Sequence, residues 1–435
     1  MRIIISFVFS LVFAGAVLAL TRFLEYDRFH TTSDAVVVIL LLSLLYFAVM
    51  VFFAAISKDE GYGYFFLFAI CAFAVLAIKT TFFDYVALDY TNFLSEWIRE
   101  YHAYTGFWGI GAPVGNYNMP YMYFLYILSR FSLPNLYLIK IFSILFDFVL
   151  AYFAMKLVSL RFDGKYIKLI VFFSVLILPT VFFNSSVWAQ CDGIYSTFAI
   201  AGLYYGIKNK PNLSMIMFGL SFAFKMQVMF IMPIVIVFLF VKKITLRSIL
   251  WIPIVYLCSI LPAIIAGRPV VDTLTIYLRQ PGVFDYLSAN APSIYQLIPE
   301  SEDYYIMFTA MGLILTALLI FAALCFLYIH REKIDNTLII KAAFLFTLAI
   351  PFFLPKMHDR FFYMADILAF VYLFYNPKRW YIPAMVIFSS FYSYCNYLFY
   401  PLPIEYFWVS AAVLTAVALT AKDFFGGIVA LSVKP

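Results

Sequence analysis

The sequence predicts an all-α fold, a polytopic transmembrane bundle of about fourteen helices. Three observations carry that prediction. Of the 435 residues, 65% are hydrophobic and 12% charged, an apolar share far above that of a water-soluble domain. Apolar runs of helix-spanning length recur between short polar connections, where a β-barrel would show short alternating segments. Lysine and arginine concentrate in alternate connections, as the positive-inside rule requires.

In chain order, the predicted spans cover 3–20, 35–56, 63–80, 137–158, 167–184, 193–207 and 213–226, then 228–241, 248–266, 304–328, 337–354, 361–376, 380–398 and 404–421. The first run, IIISFVFSLVFAGAVLAL, is long enough to span and has no A-x-A-like site before Arg22, so it is expected to be a retained helix rather than a signal peptide. The pair within 213–241 is short for two full crossings. Placing both termini in the cytoplasm puts SLRFDGKYIK, IKNKPN, VKKITLR, HREKID and NPKRW on that side. Segments 81–136, 185–192, 267–303 and 355–360 then lie outside, with the connections at 21–34 and 399–403. The first of these is too long for a mere connector. Within it, FLSEWIREYHAY has the spacing of an interfacial amphipathic helix, and MPYMYFLYILSRF suits a segment dipping into the outer leaflet.

Composition also excludes. Cys71, Cys191, Cys258, Cys325 and Cys395 are scattered with no CxxC, which argues for packing rather than disulfides or zinc. The formal charge of +6 has no basic stripe or tail, so nucleic acid is not an expected partner. There is no HExxH, GxGxxG or nucleophile–base motif. His30, His102 and His330 read as ordinary loop or interface residues.

The predicted outer segments share one polar inventory. The first supplies Asp84, Asp89, Asn116, Tyr117 and Asn118, and the second Trp188, Gln190 and Asp192. Lys225 and Gln227 sit where a short helix should end on the same face, and 267–303 adds Arg268, Arg279 and Asn290. The stretch KMHDR supplies Lys356, His358, Asp359 and Arg360 between two apolar runs. A carboxylate can act as general base on an incoming hydroxyl, while guanidinium, ammonium and imidazolium groups stabilise a departing phosphate. That inventory suits group transfer from a phosphate leaving group at a membrane surface, where the donor can itself be a lipid. The bland alternatives are a solvated loop acid at Asp89 and interfacial snorkelers at Lys356 and Arg360. Asp147 and Asp366, inside apolar spans, read as structural partners of polar groups on neighbouring helices, or else as a polar path through a transporter.

DYTNFLSEW, GNYNMPYMYFLYIL, LYLIKIFSILFDFVLAYF, SSVWAQCDGIYSTF, FGLSFAFKMQVMFIMP and LPKMHDRFFYMADILAF form an ordered series. It resembles bacterial GT-C membrane glycosyltransferases related to the GPI second-mannosyltransferase and, more weakly, the dolichyl-phosphate-glucose glucosyltransferases. The likeness covers roughly 80–375. It implies a GT-C bundle with a catalytic module over 61–375, accessory helices over 1–60 and C-terminal helices over 376–435. It further implies an inverting hexosyltransferase of the bacterial cytoplasmic membrane with an extracytoplasmic active site. The donor would be a polyprenyl-phosphate sugar, the acceptor a glycan or lipid-linked glycan, and the other partners membrane lipids. The family's essential acid corresponds to Asp89, with Asp84 as rival; the family usually places it after the first helix, whereas here it follows the third span. Arg279, Lys225, Lys356, His358 and Arg360 would hold the donor phosphate. Gln190, Asp192, Asn116, Tyr117, Asn118, Gln227 and Asp359 would position substrates or the phosphate-binding groups. No cofactor is expected; Asp84, Asp89 and Asp192 could gather a divalent cation, but the basic groups already supply its charge. A flippase or transporter of lipid-linked glycans, or a polymerase, is the alternative.

Overall fold

The computed structural model describes residues 1–23, 32–280, 286–298, 304–399 and 401–433. His30 and parts of the predicted outer connections at 21–34, 267–303 and 399–403 lie outside the described residues. Three helices open the chain: α1 (Arg2–Phe23), α2 (Thr32–Ile56) and α3 (Tyr62–Thr80). Two short ones, α4 (Ser95–Tyr101) and α5 (Met119–Leu128), occupy the first long connection. The centre runs through α6 (Asn135–Val158), α7 (Lys165–Leu176), α8 (Pro179–Phe182), α9 (Asp192–Ile207) and α10 (Pro211–Phe224). It continues with α11 (Pro233–Phe240), α12 (Leu246–Ile249), α13 (Trp251–Ile265), α14 (Val270–Leu274) and α15 (Ile276–Arg279). The last five are α16 (Tyr305–Ile329), α17 (Asn336–Phe353), α18 (Tyr363–Tyr375), α19 (Tyr381–Leu398) and α20 (Tyr406–Val433). Strands β1 (Ser288–Ala289) and β2 (Met357–His358) pair in parallel and are two residues each.

The protein is all-α and carries long apolar helices, as expected. Among the described residues, eight helices are long and apolar enough to cross a bilayer: α1, α2, α3, α6, α12 continued by α13, α16, α17 and α20. A ninth span would be α7 with the helical segment Pro179–Val187, which meet at a 54° bend. Leu178, the residue before Pro179, is forced extended (φ −54°, ψ 127°), and that breaks the helix. The other five predicted spans are helices that fall short of that test: α9 of 16 residues, α10 of 14, α11 of 8 and α18 of 13 in length, and α19, with the same 18 residues as α17, in apolarity.

The core is built by α6, α9, α10 and α13, packed pairwise in that order, with α17, α18 and α19 on another side. The helices of spanning length with little buried surface, such as α16, expose Leu, Ile and Phe side chains along their length, as a helix facing lipid would. Asp147 of α6 meets a polar group on a neighbouring helix, as expected. It is fully buried, 2.8 Å from the Lys79 ammonium of α3 and bonded by Ser185 at 2.5 Å. Asp366 of α18 is likewise fully buried, beside Ser390 and Thr180. At the helix ends remote from KMHDR, Asp423 of α20 gathers Lys341 at 2.7 Å and Arg379 at 3.2 Å, with the Tyr372 hydroxyl at 2.9 Å.

Candidate active site

A cavity of about 820 Å³ lies where the connections after α3, α4 and α10 meet the loops around β1 and β2. Local backbone chemistry aims its walls. Each of the two acidic or aromatic approaches is a π-helical turn: Tyr90–Leu94 directly follows Asp89, and Phe183–Val187 directly precedes Trp188. Such widened turns re-aim side chains that regular helix spacing would misplace. Among the described residues, five non-glycines have left-handed backbone, and three of them flank this cavity: Ala189 (φ 62°), Asn290 (φ 54°) and Lys356 (φ 62°). That conformation costs energy in an L-residue, so the surrounding packing must enforce it. The strand pairing does so at Lys356, whose N–H donates to the Leu287 carbonyl at 2.7 Å, while Asp359 N–H donates to Ala289 at 2.9 Å.

Asp89 is the centre of the polar wall. Its Oδ2 accepts from the Arg360 guanidinium, from Gln190 at 2.8 Å and from the Trp188 indole at 3.2 Å. Its Oδ1 accepts from the Tyr397 hydroxyl at 2.6 Å. Burial raises the Asp89 carboxyl, but Arg360 and the bonds from Tyr397 and Trp188 outweigh it and hold the group below the usual carboxylate value. The Arg360 charge also lies 5.0 Å above the Trp188 ring, and its Nε is 3.8 Å from Asp192. Burial opposes that charge, and Asp89 first among its neighbours keeps it fully protonated.

Behind this wall Lys225 and Asp192 form a buried ion pair at 2.5 Å, with Asn184 donating to Asp192 at 2.9 Å. Asp192 begins α9, where the helix N-terminus favours a negative charge. Lys225 still faces the cavity, 5.6 Å from the Tyr117 ring. The Lys356 ammonium lies 5.4 Å from the Tyr305 ring of α16. His358 departs from the imidazolium expected of it: burial, helped by Arg360, pushes it down to about 4, so the ring is neutral at pH 7. Asp359 moves the other way, pushed up to about 7 by burial despite Arg360.

The cavity therefore gathers Asp89, Asn116, Tyr117, Asn118, Gln190, Lys225, Gln227, Lys356, His358, Asp359 and Arg360 from the predicted set. Three predicted residues do not line it. Asp84 accepts a 2.5 Å bond from Tyr137. Asp192 is sealed by its partners. Arg279 turns to Asp272 at 2.5 Å with most of its side chain exposed, because a one-turn helix places its neighbours Tyr277 and Gln280, but not Arg279, toward the cavity. Asn118 lines the wall with its amide spent: it caps α5 at Met119 N–H and donates to the Ala223 carbonyl, both at 2.9 Å. Asp84, Asp89 and Asp192, the possible cation cluster, are engaged separately by Tyr137, Arg360 and Lys225.

Tyr397 is the residue that sequence reasoning missed. It lies outside the predicted catalytic module of 61–375, and no pattern separates it from the chain's other tyrosines, 34 in all. Its ring stacks on Trp188 at 4.7 Å, so the C-terminal helices reach the site. Thr309 and Leu313 of α16 also line the cavity, and Leu313 gives it an apolar flank on a long apolar helix with little buried surface.

No family model, no curated protein and no solved structure matches this chain.

Proposed function

We propose that this chain is an integral-membrane inverting glycosyltransferase of GT-C type. It would move a hexose from a polyprenyl-phosphate donor to a glycan or lipid-linked glycan acceptor outside the cytoplasmic membrane. The observation that carries the reading is the meeting, in one cavity, of Asp89 from the first long connection with Arg360, His358 and Lys356 from KMHDR and with Lys225. These residues are far apart in sequence, and a mere loop acid or snorkeling cation has no reason to meet them.

In this reading Asp89 takes the proton of the acceptor hydroxyl as its oxygen attacks the anomeric carbon. The bond from that carbon to the phosphate oxygen breaks on the opposite face, and its electron pair leaves with the phosphate. Arg360, Lys356 and Lys225 supply positive charge there, and the neutral His358 ring supplies a hydrogen bond. A phosphate that draws Arg360 toward itself also frees Asp89, so donor binding prepares the base. The apolar flank at Leu313, on the exposed apolar helix α16, suits a lipid-borne donor entering from the bilayer. The transporter alternative leaned on Asp147 and Asp366 as a polar path, and Asp147 is occupied by Lys79 and Ser185.

The test is reconstitution of the purified chain with a radiolabelled polyprenyl-phosphate hexose and glycan acceptors. A new glycosidic product made by the wild type, and lost in Asp89→Asn, is the expected result. Translocation of the intact lipid without any glycosidic product would replace this reading with the transporter.

A further inference from the structure

The connection carrying Asp89 is pinned from two sides. On one, the Lys140 ammonium of α6 donates to the carbonyls of Phe82 at 2.8 Å, Phe83 at 2.9 Å and Tyr85 at 2.8 Å. On the other, the Tyr85 hydroxyl donates to the carbonyl of Leu398, in the last turn of α19. The adjacent residue on that turn, Tyr397, reaches Asp89 itself. The end of α19 thus anchors the connection and bonds its carboxylate.

The distribution of donors gives that contact a distinct role. Arg360, Trp188 and Gln190 all meet Oδ2, whereas Tyr397 is the side chain that meets Oδ1. A carboxylate held at one oxygen can swing about its Cβ–Cγ bond; a bond at the second oxygen fixes its plane. Three donors crowd Oδ2, while Oδ1 accepts from Tyr397 and retains acceptor capacity.

We propose that Tyr397 is a positioning residue that fixes the plane of the Asp89 carboxylate and leaves Oδ1 to receive the acceptor proton, which makes α19 part of the reacting centre. The proposal rests on the glycosyl-transfer reading for its catalytic meaning but not for its geometry. Besides Arg360 and Tyr397 itself, the titratable groups that feel Asp89 are His358, Asp359 and Tyr286, and Tyr397 is in turn coupled to Arg360 and Asp359.

The test compares the full-length wild type with Tyr397→Phe in detergent, using infrared difference titration of the Asp89 carboxyl against Asp89→Asn as the blank. Losing one hydrogen bond to the ionised carboxylate should raise its midpoint by about one pH unit or more. In the transfer assay kcat should fall roughly tenfold, with the donor KM within about twofold. If Tyr397→Phe does not fold, Tyr85→Phe, which loosens the same turn without touching Asp89, should move the midpoint in the same direction by less. An unmoved midpoint in the folded variant overturns the proposal. Absence of any transfer by the wild type instead overturns the functional reading, and the infrared midpoint still decides the role of Tyr397.

Discussion

Two ion pairs in this protein join distant segments by the same chemistry and differ in what surrounds them. Lys79–Asp147 is sealed, with side chains 0% and 1% exposed, and Ser185 completes it. Arg360–Asp89 keeps 13% and 16% exposure and forms the wall of a cavity. A sealed pair has recovered its desolvation cost only through its partner, so it acts as a structural pin. A pair at a cavity can exchange its partner for a ligand, so the same attraction becomes a resting state from which chemistry starts. Access to a ligand, rather than the presence of buried charge, separates a pin from a site.

The largest expected effect breaks the sealed pair. Lys79→Met leaves Asp147 buried and uncompensated and should cost about 3–5 kcal/mol of stability, read as lost folded yield and a lower melting temperature in detergent. The double variant Lys79→Met/Asp147→Leu should recover most of that loss, because an apolar pair no longer strands a charge. At the cavity pair the signature inverts. Asp89→Asn should lower transfer by roughly 10²–10⁴-fold while the melting temperature stays within about 3 °C of the wild type. A melting temperature that collapses with Asp89→Asn would make this pair another pin.

Smaller effects sharpen the contrast. Arg360→Lys keeps the charge but loses the planar fork and its stacking on Trp188, and should reduce transfer about tenfold, mainly through the donor KM. Asp359 titrates at about 7 in the folded protein against an ordinary 3.8. The folded state therefore binds the extra proton, and the stability present below pH 4 declines as pH rises through 7. Asp359→Asn should abolish that decline and raise the melting temperature at pH 8 by roughly 2–4 °C, measured by thermal unfolding across pH 4–8. Arg279→Ala is the smallest: its exposed pair with Asp272 contributes at most about 1 kcal/mol, and transfer should stay within about twofold of the wild type. A large loss there would return Arg279 to the phosphate site.

The legibility of this protein in its sequence varies by residue. Long apolar runs announced α1, α2, α3, α6, α16, α17 and α20, because spanning a bilayer demands both length and uniform hydrophobicity. The helices α9, α10, α11 and α18 are shorter than a full crossing, and composition cannot distinguish a partial helix packed in protein from a full one in lipid. KMHDR stood out in the sequence because ionisable groups at a short connection between apolar runs are expensive without a purpose, and it does line the cavity. Tyr397 was not, since a tyrosine ending an apolar helix looks the same whether it meets lipid headgroups or a carboxylate. Arg279 was misplaced for a related reason: the direction of a side chain on a one-turn helix has no periodic signature.

Apolar run length, loop charge and the acid–cation inventory were properties of the chain alone, because each follows from the cost of placing a residue type in lipid or in water. Which carboxylate meets Arg360, which is pinned by Lys79 or Lys225, and which oxygen of Asp89 answers to Tyr397 were decided by tertiary contacts. Those pairings join residues up to 308 positions apart, and a hydrogen bond depends on distance and direction in space, neither of which is encoded by local spacing.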